Sequence, residues 1–235
     1  MRPAITRDHQ AFFASNGWIA FEDAFSNDRG ALMLDRLLGA QAERLHTTTA
    51  RLGEKSPLAL YEAGTDLWRI SPEVRALAGD HDWAQLMGQL LSVRQLRLAG
   101  DQLWTWRPGR WSINKIPFAE VDLPWMSLSQ IVSCDGLLAG IFFTLEGGGL
   151  QGVTPELPIS PFGPTGSAVI VRADLPLSLN LFRGVGKVAY CVLVFGRQGS
   201  YRPAPYDPQP NRLKQMSYTV GQTLSERTHP ILWTG

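Results

Sequence analysis

The chain has 235 residues, of which 44% are hydrophobic, and its 22 basic and 21 acidic side chains nearly cancel. A chain of this length can fold without a metal or disulfide, so we interpret its two cysteines, Cys134 and Cys191, as reduced thiols. It has no apolar run of the roughly 20 residues that a spanning helix needs, and no apparent secretion signal. We therefore expect a soluble, cytoplasmic protein. A net charge of +1 without a basic run disfavours nucleic acid and acidic membranes as partners. It favours a small molecule or another protein.

The first 92 residues carry apolar side chains at helical spacing. Helices are predicted from a cap at Thr6, after Ser26, and after Ser71, which precedes a proline. A further helix starts at about His81, because its apolar residues follow the i, i+3, i+4, i+7 pattern of a buried face. Each helix has one apolar side, so we expect the helices to cover a second layer.

Four later segments are rich in β-branched and aromatic residues and are bounded by Gly or Pro, a pattern typical of strands. They are QLRLAG (95–100), LLAGIFFTL (137–145), GSAVIVRA (166–173) and KVAYCVLVFG (187–196). No crossover helix separates them, which favours a sandwich or barrel. We predict one α+β domain over residues 1–235. It has a mainly helical region (1–92), a β core (93–200) and a proline-rich C-terminal strap (201–235).

Four segments follow one another along nearly the whole chain: FFASNGWIAFEDAFS, LLSVRQLRLAGDQLWTWRPG, GSAVIVRADLPLSLN and YTVGQTLSERTHPILW. In this order they resemble the phytanoyl-CoA dioxygenase family. The resemblance implies a double-stranded β-helix, a cupin-like jelly roll, with the N-terminal helices packed on one sheet. It also implies a mouth that holds Fe(II) and 2-oxoglutarate.

The iron ligands of that family are not all present. The family uses a His-x-Asp pair and a later histidine, which leave open positions on the iron for oxygen and the oxoacid. The chain reads PFAEVDLPW where the pair is expected, so Glu120 takes the histidine place and Asp122 is kept. No histidine lies between residues 82 and 228, including the place of the distal histidine around Leu175 to Leu177. We therefore predict no metal site and no iron or 2-oxoglutarate as cofactor.

Glu120 and Asp122 allow more than one interpretation. In a loop they would be solvated, as acidic residues mostly are. On a strand, residues i and i+2 share a face, and two close carboxylates would raise one pKa and form a general acid and base. A hard cation between them is a further alternative, although two carboxylates alone make a poor site. We take Glu120 and Asp122 as the candidate catalytic residues.

Four of the eight tryptophans lie between residues 104 and 125. Indole walls would suit a large apolar or aromatic ligand; the alternative is that the rings fill a core left by the lost metal centre. Lys187 matches the place of the family's basic residue that pairs with 2-oxoglutarate, or it is a solvated strand end. The candidate substrate-binding residues are Trp104, Trp106, Arg107, Trp125 and Lys187.

Three functions follow as hypotheses. The leading one is an iron-independent enzyme of a redox-neutral reaction, such as cyclisation, isomerisation or elimination, or a binder of a related small molecule. The second is a non-catalytic pseudo-oxygenase subunit that partners an active homologue and exposes an apolar patch. The third is an Fe(II)/2-oxoglutarate oxygenase with atypical ligands. The strand register around PFAEVDLPW decides where both carboxylates point, because a one-residue slip would turn them to the other face.

Overall fold

The computed structural model describes residues 5–106, 126–147, 159–177, 187–204, 207, 209 and 211–235. Its described strands are β1 (Trp18–Phe21), β2 (Gln95–Trp106), β3 (Cys134–Glu146), β4 (Ala168–Arg172), β5 (Lys187–Tyr201) and β6 (Ile231–Thr234). They form one antiparallel, curled sheet in the order β1-β4-β3-β5-β2-β6. The longest strands, β2, β3 and β5, lie side by side near its middle. The sheet is therefore the framework on which the other elements are placed.

The described helices are α1 (Arg7–Asn16), α2 (Asn27–Arg44), α3 (Pro57–Ala63), α4 (Pro72–Ala78), α5 (His81–Leu91), α6 (Leu128–Ile131) and α7 (Arg212–Gln215). The predicted starts are confirmed: the side chains of Thr6, Ser26 and Ser71 each accept a hydrogen bond from a backbone N–H of the first turn. At Gly17 the chain leaves α1 with φ 74°, a left-handed geometry that favours glycine. Within the described ranges, no helix combines the length and apolarity needed to cross a bilayer.

Side chains on the sheet alternate between two faces, and each face has its own apolar core. On β5, Tyr190 points to the helices and joins a core with Leu37 of α2 and Met87 of α5. The next residue, Cys191, points to the opposite face, which we call the inner face, and packs with Phe142 of β3. Because both faces are covered, the sequences of the middle strands are nearly continuous runs of apolar residues.

The four predicted strands are all present, although β2 and β5 continue six and five residues beyond their predicted ends. Two strands were not predicted, because four-residue segments carry too little alternation to be recognised. β1 pairs with β4 at one edge of the described sheet, and β6 pairs with β2 at the other. The two unpredicted strands therefore complete the edges, while the middle of the sheet follows from the sequence pattern.

Substitution by alanine should have opposite effects on stability at two helical glycines, Gly88 on α5 and Gly39 on α2. A Cβ at Gly88 would overlap the indole ring of Trp233 on β6, whereas a Cβ at Gly39 meets nothing within 4 Å. Gly88→Ala should lower the free energy of unfolding by about 1–3 kcal/mol, because the Trp233 ring and β6 must move. Gly39→Ala should raise it by about 0.5–1 kcal/mol through helix propensity. Urea unfolding followed by circular dichroism measures both, and a change of the same sign in the two variants would contradict this packing.

Candidate functional site

An aromatic cluster occupies the inner face. The Trp104 ring on β2 meets Tyr61 of α3 edge to face at 5.1 Å and Phe162 at 6.3 Å. Phe162 in turn meets Phe142 of β3 at 5.7 Å. Trp104 is only 6% exposed, so its ring belongs to a packed aromatic core here. Its predicted role as the wall of a ligand pocket stays a prediction.

A cavity of about 30 Å³ lies beside this cluster and has a polar side. Asp101, Gln102, Asp207 and Arg212 line it, together with apolar residues that include Trp104. Asp101 Oδ1 and Arg212 Nε are buried atoms without a hydrogen-bond partner among the described residues. The volume suits a group the size of a water molecule. The cavity can therefore receive one small polar group beside residues that carry unpartnered polar atoms.

Two arginines hold Asp66 in its charged form behind this cavity. Asp66 Oδ2 accepts a hydrogen bond from Arg69 Nε at 2.8 Å, and its Oδ1 lies 3.4 Å from Arg212 Nη1. Burial alone would raise the pKa of Asp66, but the charges of Arg212 and Arg69 outweigh burial and hold it below its ordinary value. Gly100 permits this approach, because a Cβ there would lie 2.9 Å from Asp66 Oδ1. The cluster therefore balances a buried carboxylate against two guanidinium groups.

Asp101 behaves differently from its neighbour Asp66. Its Oδ2 accepts hydrogen bonds from the Tyr190 hydroxyl at 2.7 Å and from the Trp68 backbone N–H at 3.1 Å. Burial, and then the negative charge of Asp66, raise the pKa of Asp101 to about 7 against the effect of these hydrogen bonds. Burial also raises the pKa of Tyr190, which therefore stays a donor. Asp101 can thus exchange a proton near neutral pH, as a general acid or base must.

The predicted site residues are placed only in part by the structure. Trp106 on β2 lies opposite Lys187 on β5 in the sheet register, so their backbones are neighbours, but their side chains are not described. The remaining predicted residues lie outside the described ranges: Arg107, Glu120, Asp122 and Trp125. Their assignments therefore rest on the sequence.

The polar residues beside the cavity were missed by the sequence analysis. Asp101 carried a usable signal, because it is a charged residue in the middle of the strand segment QLRLAGDQLWTW. A charge inside a buried strand is rare and needs a reason. Arg212 carried no such signal, since it lies in a polar tail far away in sequence. Only the fold brings Arg212 next to Asp66.

Leu175 and Leu177, where the distal histidine of an iron site is expected, are buried in the inner core. The Leu177 N–H donates to the Met126 carbonyl at 2.9 Å, and the Met126 N–H donates back at 3.2 Å. His229 is buried against Phe195 and Tyr218 instead. Across the described ranges, no cluster of three or more His, Cys, Asp or Glu residues is arranged to hold a metal ion.

Burial, reinforced by the positive charge of Arg69, lowers the pKa of His229 to about 3. Its Nε2 lies 3.4 Å from an Arg69 Nη atom, and its Nδ1 lies 2.9 Å from the Thr228 hydroxyl. The ring is therefore neutral at ordinary pH and is held in place by groups of this chain. The other three histidines lie in the mainly helical first part of the chain. His9 is in α1, His46 follows α2, and His81 is at the start of α5.

No protein-family profile and no curated protein sequence matches this chain. Solved structures do match. SnoK, a non-heme alpha-ketoglutarate-dependent carbocyclase from nogalamycin biosynthesis, is 12% identical with a TM-score of 0.66, covering 97% of this chain and 96% of its own. SnoN, an epimerase of the same biosynthesis, is 14% identical with a TM-score of 0.64, covering 96% and 97%. CytC3 with Fe(II) and alpha-ketoglutarate is 10% identical with a TM-score of 0.56, covering 85% and 80%.

The fold is a cupin-like jelly roll. It is the fold of non-heme iron and alpha-ketoglutarate-dependent enzymes, and the predicted fold class is confirmed. Identities of 10–14% show likeness of fold alone, and one fold can carry many functions. Membership of the phytanoyl-CoA dioxygenase family stays a prediction.

Asp101 should make stability depend on pH in a defined direction. The folded protein holds a proton on Asp101 up to about pH 7, whereas the unfolded chain releases it near 3.8. The contribution of Asp101 therefore weakens the fold as pH rises through this window. Asp101→Asn keeps the shape of the side chain and cannot ionise. The free energy of unfolding of the wild type should fall as the pH rises from about 5 to about 8. In Asp101→Asn the fall over the same range should be smaller by about 1–3 kcal/mol.

Urea unfolding at several pH values measures this difference. Asp35→Asn, an exposed change on α2, is the matched control and should run parallel to the wild type. If the free energy of unfolding of Asp101→Asn also ran parallel to that of the wild type across this pH range, the result would contradict a proton held on Asp101.

Proposed function

We propose that this protein is an iron-independent enzyme that catalyses a redox-neutral reaction, such as a cyclisation, isomerisation or elimination, on a small molecule bound at the inner face. The observation that carries the proposal is the absence of any histidine between residues 82 and 228, a range that contains all of β2, β3, β4 and β5. A site with two imidazoles on the jelly-roll strands cannot be assembled from these residues.

The groups present do not fit an iron centre of the usual kind. Leu175 and Leu177 occupy the distal-histidine segment and are buried among apolar side chains. His229 is held by Thr228 and lies beside the Arg69 guanidinium, whose positive charge opposes a bound cation. SnoN has been solved in complex with Fe3+, alpha-ketoglutarate and nogalamycin RO. For this chain we derive no step through a metal.

Acid–base chemistry is what the residues can perform. A redox-neutral reaction needs a base that removes a proton from one position of the substrate and an acid that returns a proton at another, with no net transfer of electrons. Asp101 offers a carboxyl group that gains and loses its proton near neutral pH beside the cavity. Glu120 and Asp122, two residues apart, are the further acid and base of the proposal.

The proposed substrate is large and mostly apolar or aromatic. This follows from the four tryptophans between residues 104 and 125, because indole walls suit such a ligand. The Asp101–Arg212 cavity would accept one oxygen of the substrate, and Lys187 is the proposed partner of an anionic group. The remaining proposed substrate-binding residues are Trp104, Trp106, Arg107 and Trp125.

A metal-free conversion tests the proposal. The protein is treated with EDTA, incubated without oxygen with nogalamycin RO as the first polycyclic probe, and analysed by liquid chromatography and mass spectrometry. We expect a product of unchanged mass, or of a mass reduced by one small neutral molecule. Saturable quenching of tryptophan fluorescence by the probe gives an independent measure of binding.

The double variant Glu120→Gln/Asp122→Asn should lower the conversion rate by at least about 100-fold, because it keeps both shapes and removes both ionisable groups. The double variant Asp28→Asn/Glu43→Gln removes two exposed carboxylates of α2 and should leave the rate unchanged. Full activity in the first variant would overturn the acid and base roles. Conversion that requires Fe(II), 2-oxoglutarate and oxygen would overturn the iron-independent function itself.

A further inference from the structure

A groove of about 530 Å³ runs along β1, and none of the residues that line it also lines the Asp101–Arg212 cavity. Its walls come from α1, from β1 and from the segment just before β4. This volume lies within the range of about 300–1,000 Å³ typical of small-molecule sites. The groove is therefore large enough to be a binding site of its own.

Aromatic rings form two corners of the groove. Phe12 of α1 meets Trp18 of β1 at 5.4 Å with an interplanar angle of 84°, and His9 meets Phe21 at 6.0 Å and 85°. In an edge-to-face pair the two rings stand at right angles. Phe12 is 42% exposed although it is a large apolar side chain. The face of an aromatic ring carries negative charge density and attracts cations.

The charged residues of the groove favour a cation as well. Asp8 on α1 and Glu22 after β1 line it, and both are exposed. Neither lysine nor arginine occurs among the described residues that line it. Two carboxylates without a basic neighbour in the lining attract positive charge and repel anions.

The N-terminus of α1 is capped by side chains of this chain, so it is a poor anion-binding site. The Thr6 hydroxyl accepts a hydrogen bond from the His9 backbone N–H, and His9 Nδ1 accepts one from the Thr6 backbone N–H. This reciprocal capping satisfies two of the donors that a helix N-terminus would otherwise offer to an anion.

The groove wall also contains a buried hydroxyl group. Ser167 lines it, is 1% exposed, and its Oγ has no hydrogen-bond partner among the described residues. Gly163 lies directly against it, since a Cβ there would be 2.5 Å from the Ser167 Oγ. A buried hydroxyl without a partner costs free energy. The Ser167 Oγ is covered within the groove wall, so the groups exposed to a ligand are the aromatic rings and the carboxylates.

We propose that this groove binds an organic cation, a substituted ammonium group with apolar substituents, held by the rings of Phe12, Trp18 and Phe21 and by the carboxylates of Asp8 and Glu22. A small inorganic cation would gain less, because its hydration is stronger and apolar walls offer it nothing. The inference does not depend on the proposed function of the inner face.

Choline and 3,3-dimethylbutan-1-ol test the proposal, because they have the same shape and only choline is charged. Dissociation constants come from NMR titration of the full-length protein, with the indole N–H signal of Trp18 as the reporter. Choline should bind at least about tenfold more tightly than the neutral alcohol. The preference should shrink at high salt, because the carboxylates are exposed.

Two variants locate the site. Phe12→Leu keeps an apolar side chain and removes the ring, and Asp8→Asn/Glu22→Gln removes both charges; each should weaken choline binding by about tenfold. Asp28→Asn/Glu43→Gln on α2 changes the net charge equally, lies outside the groove lining, and should have no effect. Circular dichroism and thermal unfolding confirm that the variants fold.

The proposal is overturned by any of three results: no saturable binding of choline, equal binding of the two compounds, or binding that folded groove variants and the α2 control variant leave equally unchanged.

Discussion

The middle strands of the sheet are covered on both faces, and this constraint governs the rest of the molecule. Tyr190 and Cys191 are neighbours on β5 and belong to two different apolar cores. In such surroundings a charged group must be paired or must give up its charge, because burial disfavours the ionised form. Asp66 follows the first course, with Arg69 and Arg212, and Asp101 follows the second by keeping its proton to about pH 7.

The same constraint shapes the inner face of the sheet. Where an iron ligand is expected, Leu175 and Leu177 add apolar surface to the inner core. Trp104, Phe142 and Phe162 pack against one another on the same face. Such packing contributes to the stability of a chain of 235 residues.

Much of the fold could be predicted because local rules determine it. The caps at Thr6, Ser26 and Ser71 are local hydrogen bonds, and the long strands are long apolar runs. β1 was missed because four residues beside a helix end give no clear period. The Asp66–Arg212 pair was missed for a different reason: its members are distant in sequence and meet only through the fold. The candidate carboxylates Glu120 and Asp122 depend on a strand register, which a sequence pattern fixes least well.

Anaerobic titration of the purified protein with Fe(II) and 2-oxoglutarate tests the central claim most directly. The readouts are the metal content and the visible charge-transfer band of the ternary complex. An inner face that works without iron predicts neither stoichiometric iron nor the band. Stoichiometric iron together with the band would contradict the claim, because a set of ligands other than two histidines and a carboxylate would then be holding a working centre.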